Sequence, residues 1–144
     1  MDGVQYYSGA INLGGITVNA NNFTAVYIGY FVPKISGTYQ FCDLFADNRD
    51  DFYIGSTSAF PCGNPSDAST PRNAAFTLEN PYGSATNGRA VCVNITMAAG
   101  YAYPLGNVYG QKGLPAENQF KVSGPGLGTN VTDLTGFISS DSCS

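Results

Sequence analysis

Along this chain apolar and polar residues alternate in short runs with the period of a β-strand. In 37-GTYQFCDLF-45, Tyr39 and Phe41 alternate with Thr38 and Gln40, and β-rich runs of the same kind occupy 23–32, 51–55, 90–97, 101–105, 119–123 and 134–139. No window carries a convincing helical stripe. Glycines and the prolines Pro33, Pro61, Pro65, Pro71, Pro81, Pro115 and Pro125 punctuate the intervals and keep each run short. The pattern predicts an all-β fold, a sandwich or a barrel. Residues 61–73 follow neither period and are expected to form a long surface loop held by Cys62.

Length and composition narrow the function. A chain of 144 residues that is 43% hydrophobic can bury its own core, and with no internal repeat or shift of composition it reads as one domain, 1–144, expected to be monomeric in isolation. The apolar fraction and a net charge of −4 exclude disorder. Wholly apolar runs extend only a few residues, so membrane insertion by a helix is not expected. The absence of histidine removes the commonest general base and all His-ligated metal or haem sites. Lys34, Arg49, Arg72, Arg89, Lys112 and Lys121 are scattered singly, and no basic stripe suggests a nucleic acid partner.

Cys42, Cys62, Cys92 and Cys143 contain no C-x-x-C pair, which argues for two disulfides and an extracellular setting. Three pairings are possible. Cys62 with Cys143 would join the long loop to the tail, and Cys42 with Cys92 would bridge neighbouring strands, so this pair of bonds is favoured. Asn22, Asn94 and Asn130 each open an Asn-x-Thr acceptor site for N-glycosylation. The segment Met1-Asp2-Gly3 is not preceded by a signal peptide, and a mature or excised domain is expected.

The chain has one acidic focus, 43-DLFADNRDD-51, holding Asp43, Asp47, Asp50 and Asp51. Calcium takes six to eight oxygen ligands, and clustered Asp and Asn on a loop can supply them. The EF-hand template fails: counted from Asp47, its third position is Arg49, its glycine position Phe52 and its final glutamate position Ser58. Asp50 and Asp51 would face opposite sides of an extended strand, so both could hold one ion only through an unusual peptide such as a cis bond. The alternative is a solvated acidic turn partly neutralised by Arg49. Side-by-side aspartates do not flank a scissile bond as a glycosidase requires, Glu79 and Glu117 lie in unremarkable contexts, and no enzymatic activity is expected.

Four motifs in order, 29-GYFVPKISGTYQF-41, 50-DDFYIGSTSAFPC-62, 100-GYAYPLGNVYG-110 and 136-GFISSDSC-143, resemble the GLEYA and flocculin-type adhesin domains of fungi. The resemblance covers about three-quarters of the chain, although the five-letter GLEYA signature is replaced by 100-GYAYP-104. It implies a protective-antigen-like, jelly-roll-type β-sandwich that acts as a calcium-dependent lectin on a cell wall, with two consecutive aspartates joined by a cis peptide holding the ion. Asp50 and Asp51 match that pair. A second loop, 110-GQKGLP-115, matches the segment that completes the family's site, with Gln111 at an Asn position and Gly113 and Pro115 at carbonyl positions. Gln for Asn is a departure, because the extra methylene displaces the amide oxygen. Lys112 is a candidate contact for a sugar hydroxyl or an anionic sugar, and Phe60, Tyr82 and Tyr109 are candidates for stacking on a ring. The expected function is carbohydrate binding at the cell surface through calcium. The alternative is a metal-free module for structural or homotypic protein adhesion.

Overall fold

The computed structural model describes residues 9–13, 15–55, 78–81, 90–113 and 117–140. Among them are eleven strands and no helix: β1 (Ala10–Leu13), β2 (Ile16–Asn19), β3 (Asn22–Phe31), β4 (Gly37–Asp47), β5 (Arg49–Ile54), β6 (Leu78–Pro81), β7 (Val91–Met97), β8 (Tyr103–Lys112), β9 (Glu117–Gly124), β10 (Gly128–Val131) and β11 (Ile138–Ser139). They build a five-stranded sheet of order β11-β3-β8-β5-β6, a four-stranded sheet of order β10-β9-β4-β7 and the hairpin β1-β2. All pairings are antiparallel. Of the sandwich and the barrel that the pattern allowed, the sandwich implied by the resemblance is the fold observed.

The core lies between the two larger sheets because alternate residues of each strand point inward. From β4 come Tyr39 and Phe41, and from β3, β5 and β9 come Phe31, Phe52, Ile54 and Val122, all buried. Phe41 of one sheet stacks on Phe52 of the other with ring centres 5.3 Å apart, and Phe31 meets Phe41 edge-on at the same distance. Gly124 is required at one close approach, since a Cβ there would lie 2.3 Å from the Tyr39 ring. That ring reaches across so that its hydroxyl donates to the carbonyls of Ile35 and Pro125, each at 2.8 Å.

A β-bulge interrupts the pairing of β4 with β9 between Asp43 and Phe45. Phe41 and Asp43 are buried before it and Ala46 after it, so the inward phase shifts by one residue. The run expected at 134–139 is a strand only at Ile138–Ser139, where it pairs with Tyr30 and Phe31, and a turn in which Phe137 N donates to Leu134 O precedes it.

Cys42 and Cys92 face each other across β4 and β7 and are bonded, as favoured from sequence. They sit in phase with Gln40 and Asn94 rather than with the core residues Phe41 and Val93. Cys62, Cys143 and the loop 61–73 lie outside the described residues. The observed bond is separated by 50 residues in sequence, and closing a loop of that size constrains the unfolded chain by about 4 kcal/mol in the chain-entropy treatment. Replacing Cys42 and Cys92 together by alanine is expected to lower the unfolding free energy by about that amount in urea titrations. Asn22, Asn94 and Asn130 are all exposed, as acceptors of glycan must be.

Candidate functional site

The site is built where the end of β4 turns into β5 beside the end of β8. β5 pairs with β8 so that Arg49 opposes Gly110 and Asp50 opposes Tyr109. That register places Asp47 and Asn48 against the segment 109–113. Asn48 N donates to Gly110 O at 3.0 Å, Lys112 N donates to Asn48 Oδ1, and the Tyr109 hydroxyl donates to Asp47 O at 2.7 Å. The Tyr109 hydroxyl also contacts Gln111 Oε1, and Gln111 Nε2 donates to Gly113 O at 2.6 Å. The start of β3 and the residue before it close the other side: Gly113 N donates to Asn21 O at 2.8 Å, and Phe23 meets the Tyr109 ring edge-on at 5.5 Å.

The structure corrects the expectation for Asp50 and Asp51. Among the described residues the one cis peptide joins Asp47 to Asn48, and Asp50 and Asp51 are consecutive residues of an extended strand. Their side chains therefore diverge to opposite faces of the sheet. Asp50 points between the sheets, fully buried, and accepts from Asn107 Nδ2 at 2.7 Å, with Asn118 and the Asp43 carboxyl beside it. Asp51 points outward and accepts from Arg49 Nε at 2.7 Å, and Arg49 Nη2 pairs with Glu79 at 2.7 Å. The acidic focus thus divides into an inward carboxyl pair, an outward ion-paired carboxylate and Asp47 at the strand junction. Arg49 neutralises part of it, but the acids are buried in strands and do not form the solvated turn of the alternative reading.

Burial raises the Asp47 carboxyl above the ordinary carboxylate range, and Asp47 enters neither ion pair found among the described residues. Burial also raises Asp50, to about 6, with hydrogen bonds from Asn107, Asn118 and Asp43 opposing it. Among the described residues no three Asp, Glu or Cys side chains converge. A cation here would depend on one carboxylate with amide and carbonyl oxygens. Asp47, Asn48, Gln111 and the Gly113 carbonyl are such a set, without nitrogen or sulfur ligands, and suit a hard ion such as calcium. Pro115, Phe60 and Tyr82 lie outside the described residues. Lys112 is exposed, whereas Tyr109 is only 2% exposed and presents no face on which a sugar could stack.

The described residues thus form an antiparallel sandwich in which Asp47, Asn48, Tyr109, Gln111 and Gly113 meet at the junction of β4, β5 and β8. Residues 23–124 match the GLEYA domain, and the chain belongs to that family. It is 27% identical over 137 residues to Flocculation protein FLO1 of Saccharomyces cerevisiae, a match taking in 94% of this chain and 9% of that protein. It is similar to the Epithelial Adhesin 6 A domain of Candida glabrata, solved in complex with Galβ1-3GlcNAc, with a TM-score of 0.78 and 20% identity over 97% of this chain and 66% of that one. The Epithelial Adhesin 9 A domain of the same organism, solved with the same disaccharide, gives 0.76 and 20% over 94% and 66%. The chain spans less than a tenth of the flocculin and under two-thirds of each adhesin domain. The likeness to the two solved structures is one of fold.

Sequence reasoning placed Gln111, Lys112 and Gly113 in the segment that lies at this junction and Asp47 in the acidic focus, but did not pair Asp47 with Asn48 or give Tyr109 a hydrogen-bonding role. The available signal was positional. Asp47 and Asn48 stand at the end of a strand rather than inside one, where adjacent side chains need not diverge.

Proposed function

We propose that this domain is a calcium-dependent lectin of a cell-surface adhesin, binding terminal sugars of glycans. The observation that supports the reading is the junction of β4 and β5 packed on the end of β8, where Asp47 and Asn48 lie against Gln111 and Gly113. Membership of the GLEYA family supports it, as do two adhesin domains of the same fold solved with a galactoside. Asp47 and Asn48 take the places first expected of Asp50 and Asp51, with Gln111 and the carbonyl of Gly113 beside them. A bound calcium ion offers coordination positions that vicinal hydroxyls of a terminal sugar can fill. Lys112, exposed beside these groups, donates to a sugar hydroxyl or an acidic substituent.

One sugar at one exposed site binds weakly, and adhesion follows from many copies on a surface. The Cys42–Cys92 bond suits the oxidising extracellular setting of such a protein. The domain acts by binding and not by catalysis. Glycan-array binding with calcium and with chelator tests the reading: chelator-sensitive binding to a defined sugar is expected, and chelator-insensitive self-association would support the homotypic module instead.

With Asn48 neutral, Asp47 is the only carboxylate of the set, and affinity for calcium rises with ligand charge. Asn48→Asp is therefore expected to tighten calcium binding about tenfold by isothermal titration calorimetry.

A further inference from the structure

The hydrogen-bond inventory around Tyr109 does not balance as a set of neutral pairs. The hydroxyl lies 2.7 Å from Asp47 O and also in contact with Gln111 Oε1, yet a tyrosine has one proton to give. The other end of the same carboxamide, Gln111 Nε2, donates at 2.6 Å to Gly113 O, an oxygen assigned above to the ion. Exchanging the two ends of the amide repairs the first defect: Nε2 donates to the hydroxyl oxygen, and the hydroxyl gives its proton wholly to Asp47 O. Oε1 then faces Gly113 O, an unfavourable pair of acceptors that a cation bound against both would relieve. Amide orientation and ion binding are thereby linked.

We propose that Tyr109 is a positioning residue, setting through its hydroxyl which end of the Gln111 carboxamide faces a cation. The inference rests on the calcium reading above. Tyr109 suits the role because it is buried, is braced by Phe23 and ties the main chain of β4 to the side chain of β8. Without the hydroxyl, Nε2 in the exchanged orientation has lost the acceptor that Tyr109 supplies, and Oε1 is no longer held toward the ion.

The test is calcium titration of the unaltered chain and of Tyr109→Phe by calorimetry, with the side-chain amide signals of Gln111 followed by NMR. Tyr109→Phe is expected to weaken calcium binding about tenfold, as loss of an outer-shell partner does. In the unaltered protein the Gln111 signals are expected to shift as calcium is added. Unchanged affinity in Tyr109→Phe overturns the inference. So do Gln111 signals that stay in place while the unaltered protein binds calcium, a result that does not depend on the variant folding. Failure of the unaltered protein to bind calcium overturns the lectin reading itself, and is thereby distinguished from failure of the Tyr109 role.

Discussion

Asp47→Ala is expected to abolish calcium binding and calcium-dependent glycan binding, while Asp51→Ala leaves both within about threefold of the unaltered protein. The two aspartates are four residues apart, but the fold gives them different work. Asp47 stands at the junction that packs on Tyr109, Gln111 and Lys112, and it alone brings negative charge to the proposed donor set. Removing it leaves only neutral oxygens, which do not compete with water for a divalent ion. Asp51 faces the other way and is occupied by Arg49, itself shared with Glu79. Its loss frees a guanidinium that is 44% exposed and keeps its second partner, a change of about 1 kcal/mol or less in stability. Calorimetric titration of the two variants beside the unaltered protein separates the assignments. Loss of binding in Asp51→Ala with retention in Asp47→Ala would return the site to the original pair.

The strand pattern was legible because its residues obey one rule throughout. Tyr39 and Phe41 on β4, and Phe52 and Ile54 on β5, alternate with residues of the other face, and burial follows the alternation. At the site the resemblance misled and the rule did not. The alternation that sends Phe52 inward also sends Asp50 inward, so the matching pair of acids could not act together however closely it resembled a motif. Nothing in the spacing announces the bulge beside Asp43, which depends on register with β9 across the sheet. The hairpin β1-β2 and the strand β6 escaped notice for a related reason. Each is only four residues long, too short to display an alternation of its own, and is extended through pairing with a neighbour. Gln111 was legible as a departure from Asn, but its engagement with Tyr109 is a contact between residues two apart on one face of β8, visible only once that strand is placed.

The inward acid pair gives the second large effect, on stability. Asp50 and Asp43 are both fully buried, and Asp50 is raised from 3.8 to about 6 chiefly by burial. Asn107 donates to it, Asn118 and Asp43 beside it oppose the rise, and the charge of Asp51 raises it further. A carboxyl raised by folding holds its proton more tightly in the native state than in the unfolded one. Its contribution is therefore fully favourable below the unfolded value near 4 and is lost as pH rises through about 6. Over that window the unfolding free energy is expected to fall by at most about 3 kcal/mol on this account. Asp50→Asn keeps an oxygen for the Asn107 amide and supplies permanent N–H donors toward Asp43, without a charge to desolvate. The variant is expected to be more stable than the unaltered protein at pH 7.5 by about 2 kcal/mol and to lose most of the slope between pH 4 and 6.5. Urea unfolding at half-unit pH steps, in chelator so that no ion contributes, measures both. A slope unchanged in Asp50→Asn would place the titrating group elsewhere in the sandwich.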